Sequence, residues 1–336
     1  MRRVVLTPSV LGADGVSEVS RQIVRALEAS GGPLTVITTD SYARRRGFIA
    51  RALAESASAS PATVYVAHLH LAPAAMPLVW RGARMVVVLH GIEAWVPMTG
   101  MRRRALLSAD RLIAVSHYTA GRFRAANPDL QHLPLTVCHP ACPVQADAGD
   151  RMFPDDFALI VGRMTAAERY KGHDVLIDAW SAVRAAVPGA RLVIAGDGDD
   201  RPRLEAKAAA ARLGDAIAFT GNVSQRQLTG LYRDAAFFAM PSSGEGFGLV
   251  YLEAMRAGLP CIASPGAAAE IVEAGRTGLI VEPEPDAVAR GAIELFLDVE
   301  QRERFGKAAA TRCATRFDIA DFQERFAIAA AEGVLC

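Results

Sequence analysis

Short runs of apolar and β-branched residues return along the whole chain, separated by longer amphipathic stretches, and this alternation restricts the fold more than any other feature. The runs RRVVLTP, LTVITT, TVYVAHL, RMVVVLH, RLIAVS and LTVCHP fill the first half, and FALIVGR, ARLVIAGDG, AIAFTGN, AFFAMPS, PCIAS and GLIVEP the second. Runs without polar alternation predict strands covered on both faces, as in parallel sheets. Between them VSEVSRQIVRALEAS, HDVLIDAWSAVRAAV, PRLEAKAAAARLG and SQRQLTGLYRDA carry the period of helices that bury one face. Repeated strand and helix predict a doubly wound α/β fold. At 336 residues the chain exceeds one average domain of roughly 150, and no repeat of fixed period is visible. Pro, Gly and Asp accumulate at 140–156, where neither period persists. We therefore expect two Rossmann-like domains, 1–148 and 149–316, facing each other across a cleft.

Charge divides the chain in the same place. Residues 1–150 hold 16 Arg and no Lys against 10 acidic residues, whereas 151–336 hold 21 basic against 26 acidic. Arg44-Arg45-Arg46 and Arg102-Arg103-Arg104 are the densest basic clusters; they read either as solvated arginine or as contacts to anionic lipid headgroups or a phosphate-bearing acceptor. No aromatic residues interleave with them, which argues against nucleic acid. The five cysteines, Cys138, Cys142, Cys261, Cys313 and Cys336, show no paired CxxC spacing, so neither disulfides nor a zinc cage is expected. Cys138, His139 and Cys142 lack the partner pair that a four-coordinate site needs. No apolar run approaches the ~20 residues of a membrane span. The opening MRRVVLTPSVLGADG reads as a buried strand rather than a signal peptide, and a cytoplasmic protein, in peripheral contact with a membrane at most, is expected.

Ligands of doubly wound sheets bind at the carboxyl ends of the strands, so the loops there are the candidate sites. GRMTAAERYKGHD places Arg163 and Lys171 in one loop, where a bidentate guanidinium and a compact ammonium suit a diphosphate; His173 and Asp174 read as loop closure and helix capping. In AGDGDDRPRLE, Gly196 and Gly198 let backbone approach a ligand. Asp197 and Asp199 spell a DxD that could hold a metal, but three acids before a helix more commonly cap it, and no metal is assigned. In LGADGVSEVS, Gly12, Gly15 and Ser17 predict an anion site at a helix N-terminus; the third glycine of a dinucleotide fingerprint is missing. His90 ends the VVVLH strand and can shuttle a proton or bind a hydroxyl, with His68 and His70 as weaker neighbours. In SSGEGFGLVYLEAM, Glu245 stands before a helix expected to begin near Phe247 or Gly248. Glu253 lies more than a turn inside it at ~1.5 Å per residue, and two carboxylates so spaced suit paired sugar hydroxyls.

These segments, VGRM…ERYKGHD, GDG…LE, FTGNVS, PSSGEGFGLVYLEAMRAGLPCIAS and EIVEAGRTGLIVEP in that order, resemble the retaining, nucleotide-sugar-dependent glycosyltransferases of the GT-B fold, family 4. The resemblance implies that Arg163 and Lys171 hold the donor diphosphate, and that Glu245 binds the donor hexose. Amides of Gly246, Phe247, Gly248 and Leu249 would meet sugar and phosphate, Glu253 would take the ribose, and Asn222 and Val223 would seat the base. Gly15, and Gly196 with it, would lie near the donor, and His90 would face the reacting sugar. A helix over 317–336 would cross back to the N-terminal, acceptor-binding domain. The implied activity moves a hexosyl unit from a GDP- or UDP-sugar to an acceptor hydroxyl with retention, without metal or resident cofactor. The ERYKGHD and HGIEAW forms are similar to bacterial polysaccharide-assembly transferases, which implies a lipid-linked saccharide acceptor. A nucleotide-sugar epimerase and a non-catalytic nucleotide-sugar-binding subunit are the alternatives. Asp14, where many relatives have glycine, and SPGAAAEI before a helix containing Glu270 depart from the family pattern.

Overall fold

A computed structural model describes residues 2–12, 14–40, 45–58, 63–154 and 156–331; Arg44 lies outside them. The chain forms two compact units, one of 1–141 with 317–336 and one of 142–316. In the first unit the strands are β1 (Arg3–Thr7), β2 (Leu34–Thr38), β3 (Thr63–Val66), β4 (Arg84–Leu89), β5 (Arg111–Ala114) and β6 (Leu135–Val137). All pair parallel in the order β2-β1-β3-β4-β5-β6. Helices α1 (Gly15–Ala29), α2 (Arg45–Ser58), α3 (Ala72–Val79), α4 (Gly100–Leu106) and α5 (His117–Ala126) connect them. Val4, Val5, Leu6, Met85, Val86 and Val87 are fully buried. Consecutive residues point to opposite faces, so burial of both confirms a sheet covered on each side.

The second unit repeats the plan with β7 (Phe157–Val161), β8 (Arg191–Ala195), β9 (Ile217–Gly221), β10 (Phe237–Ala239), β11 (Cys261–Ala263) and β12 (Gly278–Ile280), ordered β12-β11-β10-β7-β8-β9. Its helices are α6 (His173–Ala186), α7 (Arg201–Ala210), α8 (Gln225–Asp234), α9 (Leu249–Arg256), α10 (Pro285–Leu297) and α11 (Val299–Arg316). Trp180 of α6 is wholly buried, and Phe296 of α10 meets the rings of Trp180 and of Phe237 from β10 edge-on, the arrangement aromatic quadrupoles favour. After Arg316 the chain returns to the first unit, where α12 (Ile319–Ala331) packs on α1 and brings the Phe326 ring to 6.2 Å from Tyr65.

Each of the twelve strands among the described residues falls within an expected run. The local structure near Glu270 differs: Ala267–Glu270 is a single 3-10 turn rather than a helix. No described helix is long and apolar enough to cross a membrane.

Candidate functional site

In the second unit β8 and β9 lie to one side of β7, and β10 to β12 to the other. The connections after β7 and β10 therefore leave the sheet in opposite senses and open a crevice at the carboxyl ends, the usual ligand position in such sheets. The segments bounding this crevice are 162–172 and 240–248. They are joined by a hydrogen bond from the Ser243 amide to the Tyr170 carbonyl, 2.9 Å, and by the Tyr170 ring over Gly244, where an added Cβ would lie 2.9 Å from Cγ. Across the junction Lys171 Nζ donates to Glu245 Oε1 at 2.9 Å, each side chain 16% exposed. Two residues 74 positions apart thus meet because their strands are neighbours. Burial, and after it the charge of Glu245, raises the pKa of the Tyr170 phenol and keeps it protonated.

Lys171 ends a 3-10 segment, Ala166–Lys171, rather than standing in an open loop. Arg163 is exposed and pairs with Glu168, while Arg169 grips Asp200 with two bonds of 2.8 and 3.0 Å. Asp174 does not cap α6, whose N-cap is Gly172 without a side-chain bond. Its carboxylate instead takes Arg203, at 2.6 and 2.8 Å, and Lys207, and the Arg203 bonds lower its pKa to about 2. His173 is buried, and burial together with the Lys171 charge lowers its pKa to about 4, so the imidazole is neutral near pH 7.

Helix α9 begins at Leu249, with Gly248 as its N-cap at φ 103°, ψ 63° and no side-chain cap. Residues with Cβ rarely adopt this conformation, and a Cβ here would also sit 2.7 Å from the Tyr251 ring. Phe247 is buried and anchors the turn. The first amides of a helix have no partner within it, so they and the helix dipole favour an anion ahead of α9. Glu253, one turn on, accepts a 2.8 Å hydrogen bond at Oε2 from Tyr232 of α8. That phenol is wholly buried, and burial followed by the Glu253 charge raises its pKa far above the usual value. Tyr232 therefore donates a proton that it does not lose, and it orients the carboxylate.

The ends of β7, β8 and β9 approach backbone to backbone. The Gly196 amide donates to the Gly221 carbonyl at 3.0 Å, and a Cβ on Gly196, at φ 135°, would fall 2.1 Å from the Gly162 oxygen. Asn222 is exposed and Val223 half-buried just beyond β9. The DxD carboxylates serve the protein: Asp197 accepts from the Gly198 amide at 2.8 Å, and Asp199 from the Ala166 amide at 3.2 Å.

The first unit reverses strand order between β1 and β3, flanked by the loops after them. The expected anion site at α1 is overturned here. Asp14 is the N-cap, and its carboxylate accepts from the amides of Val16 (3.0 Å) and Ser17 (3.1 Å) and from Ser17 Oγ (2.8 Å). A built-in anion thus occupies the helix end that Gly12, Gly15 and Ser17 were expected to offer to a ligand. Gly15 is exposed as the first residue of α1. His90 Nε2 lies 2.6 Å from the Ala67 carbonyl; a carbonyl only accepts, so Nε2 carries the hydrogen and Nδ1 is the basic nitrogen of the neutral ring. The His68 ring stacks on His90 at 5.6 Å, with His70 at 4.8 Å on its other contact. Burial first, and His90 second, lower the His68 pKa to about 4. Of the basic clusters, Arg102 and Arg104 are exposed, whereas Arg103 binds Asp129 at 2.7 Å.

The crevice of the second unit thus gathers Lys171, Glu245 and the turn of Gly246, Phe247 and Gly248 into α9. Arg163 reaches the rim through Glu168, and Gly196, Asn222 and Val223 follow along the same sheet edge. His90 and Gly15 belong to the other unit. Sequence reasoning missed Tyr232, Tyr170 and Glu168, which hold Glu253, Gly244 and Arg163; only the amphipathic pattern of SQRQLTGLYRDA hinted that Tyr232 points inward.

Two doubly wound parallel sheets, one with a Lys-Glu pair and a side-chain-free helix N-terminus at its switch point, define a two-domain α/β protein. Residues 154–312 match the model of the glycosyl transferases group 1, and this part of the chain belongs to that family. It is 32% identical over 246 residues to the GDP-mannose-dependent alpha-(1-6)-phosphatidylinositol monomannoside mannosyltransferase of Mycobacterium tuberculosis, covering 67% of this chain and 64% of that protein. It is 29% identical over 223 residues to the alpha-D-kanosaminyltransferase of Streptomyces kanamyceticus, covering 65% of this chain and 54% of that protein. The chain thus spans less than two thirds of these relatives. Among solved structures, Anabaena Alr3699/HepE in complex with UDP and glucose superposes with a TM-score of 0.74 at 19% identity, over 99% of this chain and 100% of that one. Sucrose-phosphate synthase of Thermosynechococcus elongatus gives 0.78 at 19%, over 97% and 98%. The fold is accordingly GT-B.

Proposed function

We propose that the protein transfers a hexosyl unit from a nucleoside-diphosphate sugar, GDP-linked in first preference because the mycobacterial relative uses GDP-mannose, to an acceptor hydroxyl. The Lys171-Glu245 pair at the switch point carries this reading. An arriving diphosphate competes for Lys171 and frees the Glu245 carboxylate to accept hydrogen bonds from the hexose hydroxyls, so one ion pair becomes two ligand contacts. Arg163 and the first amides of α9 share the phosphate charge, and Glu253, held by Tyr232, takes the ribose hydroxyls. Gly196, Asn222 and Val223 line the base end of the same edge.

In the transfer step the bond from the anomeric carbon to the diphosphate oxygen breaks, and the bond to the acceptor oxygen forms on the same face, with retention. The acceptor proton passes to the departing diphosphate, whose charge Lys171, Arg163 and the helix dipole stabilise. No metal enters this reading. His90, through Nδ1, would serve the first unit, the acceptor-binding one. The acceptor is assigned to the lipid-linked saccharides, by analogy with the relative that acts on a phosphatidylinositol mannoside and because exposed Arg102 and Arg104 suit an anionic membrane.

Thermal-shift screening against GDP-, UDP- and ADP-sugars identifies the donor, and nucleoside-diphosphate release with and without acceptor measures turnover. Lys171→Ala and Glu245→Ala should each lower turnover by orders of magnitude with the fold intact. Unchanged turnover in either sinks the donor-site assignment. Donor consumption yielding an epimer instead of transfer refutes the reaction class. The anomeric coupling of the product by NMR tests retention, and activity in a chelator tests metal independence.

A further inference from the structure

The function proposed above uses none of the cysteines, yet two of them are brought together. Cys138 lies in the first unit, where burial pushes its thiol up to about 11, and Cys261 is buried in β11. Cys142 and Cys313 are different. The Sγ of each lies 3.4 Å from one and the same acceptor, the Leu252 carbonyl, so the two thiols converge on a single oxygen. Cys142 is half-buried and Cys313 buried, so small solutes reach the pair from the Cys142 side.

Packing about α9 produces this convergence. The segment after Cys142 is strapped along α9: Arg256 Nη1 donates to the Pro143 carbonyl at 2.9 Å, and Gln145 Nε2 to the Glu253 carbonyl at 3.0 Å. Helix α11, which carries Cys313, packs on the same helix. Two sulfurs each 3.4 Å from one oxygen lie at most 6.8 Å apart (twice 3.4 Å), and a sulfur-sulfur bond is ~2.05 Å, so the side chains must turn toward each other to close it.

We propose that Cys142 and Cys313 are a reversible thiol modification site, closing to an intramolecular disulfide under a two-electron oxidant such as hydrogen peroxide. Cys142 is the thiol that meets the oxidant, because it is the one of the two that solutes reach, and the charge of Arg256 favours the thiolate at either sulfur. The Cys142 thiolate attacks one peroxide oxygen, the O–O bond breaks, and the released hydroxide takes the proton that left the thiol to become water, leaving a sulfenic acid. The Cys313 sulfur then attacks the Cys142 sulfur, the S–O bond breaks, and hydroxide leaves with the Cys313 proton as a second water. Two thiols and one peroxide give one disulfide and two waters. The bond would tie the point where the chain enters the second unit, after Ala141, to the last helix before it leaves at Arg316.

The test is differential alkylation of the full chain after brief hydrogen peroxide treatment, followed by peptide mass spectrometry without reduction. The expected result is joint loss of labelling at Cys142 and Cys313, a linked peptide pair lighter by two hydrogen atoms, and recovery of both thiols with dithiothreitol. Cys142→Ser and Cys313→Ser should each abolish the linked pair while starting turnover and thermal denaturation stay as in the parent. Unchanged labelling of both thiols, over-oxidation of either without linkage, or a cross-link between any other two cysteines overturns the proposal; wild-type labelling decides it even if a serine variant fails to fold.

Discussion

Gly248 offers a quantitative test of how the site is built, because Gly258 supplies an internal control on the same helix. Gly248 precedes α9 at φ 103° and Gly258 follows it at φ 78°. A Cβ at Gly258 would meet nothing within 4 Å, whereas one at Gly248 would lie 2.7 and 2.9 Å from two carbons of the Tyr251 ring. That ring cannot step aside, since it is wholly buried and its hydroxyl is bonded to the Met240 carbonyl. Gly258→Ala therefore costs only the left-handed backbone, about 1–2 kcal/mol. Gly248→Ala adds overpacking of about 1–3 kcal/mol, for a total of about 2–5 kcal/mol. At about 2–4 °C per kcal/mol for a unit of this size, melting should fall by roughly 2–8 °C for Gly258→Ala and by roughly 4–20 °C for Gly248→Ala. Differential scanning calorimetry measures both, and titration calorimetry with the nucleoside diphosphate should show weaker binding for Gly248→Ala alone. Equal melting temperatures for the two variants would refute the packing argument, and parental nucleotide affinity in Gly248→Ala would refute the role of the α9 turn.

Other expectations follow from single contacts. Tyr232→Phe removes the donor that orients Glu253; at about 1.5–3 kcal/mol for a hydrogen bond to a charged group, nucleotide affinity should fall about tenfold or more, with turnover at saturating donor little changed, as steady-state kinetics would reveal. Asp14→Ala should cost about 0.5–2 kcal/mol as a lost N-cap and, by baring the α1 amides, make the variant more responsive than the parent to stabilisation by inorganic phosphate in thermal shift. His68 and His173 are neutral when folded, with pKa lowered to about 4, but titrate near 6.5 when unfolded. Between these values the unfolded chain binds more protons, so stability should fall as the pH drops from about 6.5 towards 4. Urea denaturation should show that slope, and a slope as steep in His173→Gln as in the parent would exclude His173 from it.

Legibility in the sequence followed the range of the interaction. Strands such as FALIVGR and RMVVVLH were readable because both faces of a parallel sheet are covered, which leaves an unbroken apolar run. Helices α2, α3, α4, α5, α10 and α11 were not singled out; of these α3 and α4 have fewer than ten residues, too short to display a period. The turn into α9 was readable from Gly246, Phe247 and Gly248, since glycines around an aromatic have no packing use elsewhere. The fate of the α1 terminus was misread, although its cause is local: an aspartate at the N-cap position supplies the very anion that the amides would otherwise recruit.

The sequence by itself therefore determined the doubly wound pattern and the strands whose ends carry the candidate ligand groups, because these depend on periodicity and on neighbours a few residues away. Only tertiary structure decided that Lys171 neutralises Glu245, that Tyr232 holds Glu253, and that Cys142 meets Cys313 at Leu252. Those pairings depend on strand order and helix packing, and contacts between residues brought together across a sheet leave no periodic trace in a single chain.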